Sequence, residues 1–206
     1  HGGFRVGFGE VAFTTAVPTG APTVATLPAN NVSAGGARIR GTLADLGTST
    51  PTVRIYWGTS DGGASVGAWS NVANLGTRNS TGDFFADLSG LQPNANYFFR
   101  AFATNTQGDD WAPGSETFTT PATLPEVDNV AASEVLGTSA IIGGNVTSTG
   151  GDVPTLVIHY GDNDAGTGAR DAQLDLGVQN GSAADRIATL TPGTTYYFRA
   201  AVTNSA

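Results

Sequence analysis

Cysteine and lysine are both absent from this chain of 206 residues. Without cysteine the fold can use neither a disulfide nor a thiolate metal site, and nothing points to a redox compartment. Without lysine, all nine basic side chains are arginines, set against 17 Asp and Glu, for a net charge of −8 and a pI near 4.4. So little positive charge argues against nucleic acid, whose affinity comes from basic patches, and against an anionic membrane surface. No apolar run approaches the ~18 residues that a membrane-inserted helix needs. Histidine is scarce too. His1 begins the chain, and His159 lies on the outward side of an alternating segment with no His, Cys or carboxylate partner recurring beside it. There is no Gly-x-Ser-x-Gly elbow, no Ser-x-x-Lys and no Gly-rich phosphate loop ahead of a helix. The expectation is a protein that is not an enzyme and that needs no cofactor.

What is present is turn chemistry: 29 Gly and 10 Pro divide many short apolar runs. That pattern predicts an all-β chain. Val53, Ile55 and Trp57 alternate with Arg54 and Tyr56, as do Leu156, Ile158 and Tyr160 with Val157 and His159. Phe84, Ala86 and Leu88 predict another strand. Tyr97 and Phe99 begin a longer one running through Thr104, and a last strand surrounds Phe118.

The chain also repeats itself. Gly41 to Asp61 aligns with Gly144 to Asp164 at an offset of 103, and Leu91-Gln-Pro93 aligns with Leu190-Thr-Pro192 at an offset of 99. A unit of about 100 residues is too long for a solenoid repeat and suits a β-sandwich domain. The ends belong to the same repeat. Asn204-Ser205-Ala206 followed by His1-Gly2-Gly3-Phe4 matches Asn105 to Trp111 without a gap, and Val11-Ala-Phe13-Thr-Thr15 matches Glu116-Thr-Phe118-Thr-Thr120.

At Leu91-Gln-Pro93-Asn-Ala-Asn-Tyr97 and Leu190-Thr-Pro192-Gly-Thr-Thr-Tyr196 the chain resembles the fibronectin type III family, in the form found in repeats of bacterial surface and extracellular proteins. The Leu-x-Pro-x-x-x-Tyr spacing is similar to that family's tyrosine corner, and the resemblance covers nearly the whole chain. It departs from the family at the second strand, where Ile39 and Ile141 stand in place of the usual Trp, so that Trp57 or Trp111 would have to supply the bulk.

The resemblance implies two tandem Ig-like (fibronectin type III-like) β-sandwich domains. Residues 1–18 would be a lone last strand, 19–120 a complete domain, and 121–206 a domain lacking its last strand. A sandwich without that strand exposes unpaired edges. Phe4, Val6, Phe8, Val11 and Phe13 would donate the missing strand to a neighbouring copy, with Ile141, Leu156, Ile158 and Tyr197 as the acceptor core. Burying five such side chains is worth roughly 1.5–3 kcal/mol each before association costs. A head-to-tail contact does not close on itself, so the expected partner is the chain itself, in a homopolymer outside the cell or on its surface. Separate subunits exchanging strands and one period of a covalent tandem array both remain open. The alternative is an adhesin or carbohydrate-binding spacer attached to a larger secreted protein, with Trp69 and Trp111 stacking on sugar.

Other candidates are weaker. Asp162-Asn-Asp164 is an oxygen-rich turn that could suit Ca²⁺, although its spacing is not that of an EF-hand and a solvated turn is the ordinary reading. Asn31, Asn79, Asn145 and Asn180 head Asn-x-Ser/Thr triplets, which would make them glycan acceptors in a secreted protein.

Overall fold

The computed structural model describes residues 20–166, 168 and 170–206. The donor segment with Phe4, Val6, Phe8, Val11 and Phe13 lies outside the described residues, as does His1. Fourteen strands carry the described fold. They are β1 (Thr23–Ser33), β2 (Gly36–Asp45), β3 (Thr52–Gly58), β4 (Asn71–Thr77), β5 (Gly82–Ser89), β6 (Asn96–Asn105), β7 (Gly108–Trp111) and β8 (Glu116–Thr119), followed by β9 (Glu126–Ser133), β10 (Ala140–Ser148), β11 (Thr155–Gly161), β12 (Ala172–Val178), β13 (Ser182–Ile187) and β14 (Tyr197–Thr203). The one helical element described is a 3₁₀ turn at Val66–Ala68. No described helix is long and apolar enough to cross a membrane.

The fold is all-β and fibronectin type III-like. In the first sandwich, one sheet has the order β1-β2-β5 and the other β4-β3-β6-β7, with β8 also pairing β6. In the second, β9, β10 and β13 form one sheet and β11, β12 and β14 the other. Each strand from β9 to β14 has a counterpart among β1 to β6. Among the described residues, β7 and β8 have no counterpart in the second sandwich.

Period-2 alternation explains the core. On β2 and β3, Ile39, Leu43, Val53 and Ile55 face inward and are buried, meeting Phe84, Phe99 and Ala101 from the strands opposite. Gly41 leaves room for both neighbours, because a Cβ there would lie 2.7 Å from the ring of Phe84 beside it in the sheet and 2.9 Å from Ala101 Cβ in the facing layer. The second core contains Ile142, Val146, Leu156, Ile158, Ile187 and Ala200. Tyr56 and Phe102, on the outward face of the first sandwich, are not solvated. With Trp69 they form a second apolar cluster that Trp111 joins from β7, its ring 4.9 Å from that of Phe102. Of the two aromatics expected to supply bulk to the main core, Trp57 packs against it, whereas Trp111 lies in the outer cluster on the opposite face of the same sheet.

Two acceptor residues fall on the other face from the one expected. Ile142, not Ile141, is the buried partner of Ile39 in the repeat, and Ile141 is half-buried on the outside of β10. Tyr197 is 42% exposed, while its neighbours Tyr196 and Phe198 turn inward. The cause is strand parity: shifting an assignment by one residue moves a side chain through the sheet.

Each sandwich is tied at its entry by an asparagine at the end of its sixth strand. Asn105 Nδ2 donates to the carbonyls of Gly20, Leu46 and Ser49 at 3.2–3.4 Å. Asn204 Nδ2 donates to Thr123 O at 2.8 Å and Thr149 O at 3.0 Å. Between the sandwiches, the Asn94 side chain donates to Gly151 O at 3.2 Å and its backbone N–H to Pro121 O at 3.2 Å.

Candidate functional site

β6 and β14 are the same strand of the repeat in different surroundings. β6 pairs with β3 on one side and with β7 and β8 on the other. β14 pairs with β11 in the same antiparallel manner, from Thr155↔Thr203 to Gly161↔Tyr197, but no described strand lies along its second edge. One N–H on that edge is satisfied locally. Ala200 donates to Asn129 Oδ1 of β9 at 2.7 Å, as Ala101 donates to Thr26 Oγ1 of β1 at 3.1 Å in the first sandwich. An edge strand otherwise presents unpaired backbone groups that can template another strand.

The tyrosine corners stand at the head of each of these strands. Tyr97 Oη accepts the Gln92 N–H at 3.0 Å, and Tyr196 Oη accepts the Thr191 N–H at 3.0 Å. Their surroundings differ. Tyr97 is stacked on Phe118 of β8, with ring centroids 5.4 Å apart and an interplanar angle of 18°. The Phe118 ring also lies 6.1 Å from that of Phe99 and belongs to the same buried core as Leu91. In the second sandwich the corresponding place is a cavity of about 240 Å³. Ile142, Tyr160, Ile187, Leu190, Tyr196 and Phe198 line it. Phe99 is fully buried, whereas its counterpart Phe198 is only half-buried; likewise Leu91 is buried and Leu190 is not. Val135 and Leu136, at the cavity rim, are 70% and 62% exposed. Among the described residues, the second core is thus less covered on the side where β8 covers the first.

Of the expected acceptor residues, Leu156 and Ile158 are fully buried in the second core and do not line the cavity, while Ile141 and Tyr197 lie on the outer faces of their strands. Ile142, Tyr160 and Phe198 were not among the candidates. The repeat offsets that match Ile39 to Ile142 and Phe99 to Phe198 were the available signal.

No family model matches the chain, and no curated protein matches it. Among solved structures it is similar to the sensor domain of the anti-sigma factor RsgI4 in Pseudobacteroides cellulosolvens. In the longer form of that domain the identity is 18%, with 55% of this chain and 99% of that one covered at a TM-score of 0.35. It is also similar to the chicken CNTN1 FN1–FN3 domains at 16% identity, covering 90% of this chain and 62% of that one with a TM-score of 0.41.

The remaining candidates resolve into local structure. Trp69 is 8% exposed and its Nε1 donates to Gly63 O at 3.1 Å, so its ring offers no open face to a sugar. Trp111 leans on Tyr56 and Phe102. Asp164 Oδ1 accepts the Gly166 N–H at 3.1 Å and meets the Arg170 guanidinium at 3.4 Å. The Gly166 N–H first, and Arg170 second, hold its carboxyl below the usual carboxylate range. Asp162 is exposed beside it, and its N–H donates to Asp171 Oδ2 at 3.3 Å. Among the described residues no group of three or more His, Cys, Asp or Glu could hold a metal ion. Asn31, Asn79 and Asn180 are exposed; Asn145 is half-buried on β10, its Oδ1 2.8 Å from Ser182 Oγ.

Proposed function

We propose that this chain is a structural, non-enzymatic building block of an extracellular filament or surface stalk, joined end to end with copies of itself. The joint is made by β-strand complementation between subunits, or it is the covalent continuation of a tandem array of which this chain is one period. One observation carries the reading. β6 is flanked on both edges and its core is closed by Phe118, while β14 is flanked on one edge by described strands and its core opens into a cavity. Strand addition to such an edge gains main-chain hydrogen bonds, and the groove contributes apolar burial. An acidic, Gly-rich chain without cysteine or lysine is compatible with life outside the cell. The alternative, an adhesin or carbohydrate-binding spacer, draws less support because Trp69 is buried.

Mass before and after full denaturation tests the reading. Purified chain is measured by light scattering across a concentration series, and again after boiling in acid. Native particles at multiples of the 20.8 kDa chain that fall to 20.8 kDa on denaturation support exchanged strands. Native source material that keeps a much larger mass after denaturation supports the covalent array. A 20.8 kDa particle at every concentration, together with native source material of that same mass, would sink the reading.

A further inference from the structure

The first sandwich holds a template for the missing strand, including its register. β8 runs antiparallel to β6 with Asn96↔Thr119, Tyr97↔Phe118, Phe98↔Thr117 and Phe99↔Glu116 as partners. Phe118 is 8% exposed and closes the core. The next residue but one, Thr120, is 1% exposed and clasps the tyrosine corner. Its hydroxyl donates to Gln92 O at 2.6 Å and accepts the Ala95 N–H at 3.0 Å, and its own N–H donates to Ala95 O at 3.0 Å. Trp111, on β7, lies on the opposite face of the sheet with Tyr56 and Phe102. The template therefore uses two aromatics on two faces, separated by a break at Ala112–Ser115.

The second sandwich presents the complement of this template. Tyr196 and Phe198 stand in the places of Tyr97 and Phe99, and Thr191 and Thr194 stand in those of Gln92 and Ala95. All four line the cavity. Residues 11–15, Val-Ala-Phe-Thr-Thr, repeat the 116–120 sequence Glu-Thr-Phe-Thr-Thr.

Resting on the assembly reading above, we infer that the occupant of this site is residues 11–15 of a second copy, lying antiparallel along β14 in one register. Phe13 sits opposite Tyr196 and fills the cavity. Ala12 faces Tyr197, and Val11 faces Phe198. The Thr15 hydroxyl replaces the 3.3 Å bond from the Thr194 N–H to Thr191 O by bridging the two, as Thr120 bridges Gln92 O and the Ala95 N–H in the first sandwich. Of the five apolar side chains in the donor segment, Phe13 is the anchor. Phe4 takes the place of Trp111 on the outer face, beside Ala201, where the counterparts of Tyr56 and Phe102 are His159 and Ala201 and offer little apolar surface.

The absence of native cysteine makes the register measurable. The double variant Ala12→Cys/Tyr197→Cys is oxidised and run denatured without reductant. A ladder at multiples of the chain mass is expected. Ala12→Cys/Arg199→Cys, two residues out of register, should stay at the single-chain mass. A ladder from the second pair alone would overturn the register while leaving end-to-end assembly intact. A cross-link confined within single chains would overturn the second copy as occupant. A wild-type chain that is monomeric throughout the concentration series would remove strand exchange between separate copies, and this inference with it, while leaving the covalent array to the mass of native source material. In parallel, Phe13→Ala should weaken assembly at least about 100-fold, in line with the loss of a buried aromatic anchor. Phe4→Ala should weaken it less, and the reverse order would overturn the assignment of the anchor. β1 to β14 are built without either residue, so both variants keep the two sandwiches.

Discussion

At the scale of single residues, small polar groups decide how the loops are held. Asp164 is the clearest case. Its carboxylate accepts the Gly166 N–H and is paired with Arg170, whose side chain is 4% exposed. Replacing Arg170 by Gln should let the Asp164 pKa rise toward the ordinary carboxylate value, visible in a carboxyl carbon NMR titration; an unchanged value would mean that the Gly166 bond alone sets it. Asp87, bonded by Arg38, and Asp152, bonded by Ser205, are lowered as well. For a carboxylate whose folded pKa is depressed, the stabilisation is complete above the unfolded value near 3.9 and is lost as pH falls through the folded value. Acid should therefore weaken the fold only below about pH 4, with no gain or loss from these groups at neutral pH.

At the scale of strands and turns, close backbone approach matters more than side-chain chemistry. Gly150 has φ +66, and a Cβ added there would collide with the Thr123 carbonyl, at the point where Asn204 ties β14 to the domain entry. Gly150→Ala combines a left-handed backbone with a clash against main chain. It should destabilise the second sandwich by about 1–3 kcal/mol in a denaturant titration. Gly76, also left-handed, has open space around it, so Gly76→Ala should cost only the smaller backbone strain. Equal losses would show that crowding at Thr123 is not the cause. Strand existence and type were legible in the sequence because alternation and turn residues act locally. Strand parity was not legible everywhere. In Ile141-Ile142 both residues are apolar, so local alternation does not choose between them; the repeat offset from Ile39 points to Ile142, and pairing with β9 and β13 sets it in the core. In Tyr196-Tyr197-Phe198 three aromatics run together, and the fold turns the middle one out.

At the scale of the whole molecule, the two sandwiches should respond differently to self-association. A ligand that binds only the folded state adds RT ln(1 + [L]/Kd), about 2.7 kcal/mol at one hundred times Kd. If copies complement the second sandwich, its unfolding midpoint should rise with chain concentration while that of the first stays constant. Calorimetry at two concentrations a hundredfold apart checks this, and parallel shifts of both transitions would contradict it. The asymmetry follows from the cores: Phe118 already occupies the position in the first sandwich that stands as a cavity in the second.

The amino-acid sequence by itself determined the repeat of about 100 residues, the all-β class and the two Leu-x-Pro-x-x-x-Tyr corners. These features are encoded locally, by period-2 alternation, turn residues and a short motif, and they survive alignment of the chain with itself. Only the tertiary structure decided that Tyr56, Trp69, Phe102 and Trp111 form a second cluster on the outside of a sheet, and that the space beside Tyr196 and Phe198 is a cavity. Each of these depends on contacts between strands far apart in the chain, where a one-residue shift of register exchanges the two faces of a sheet.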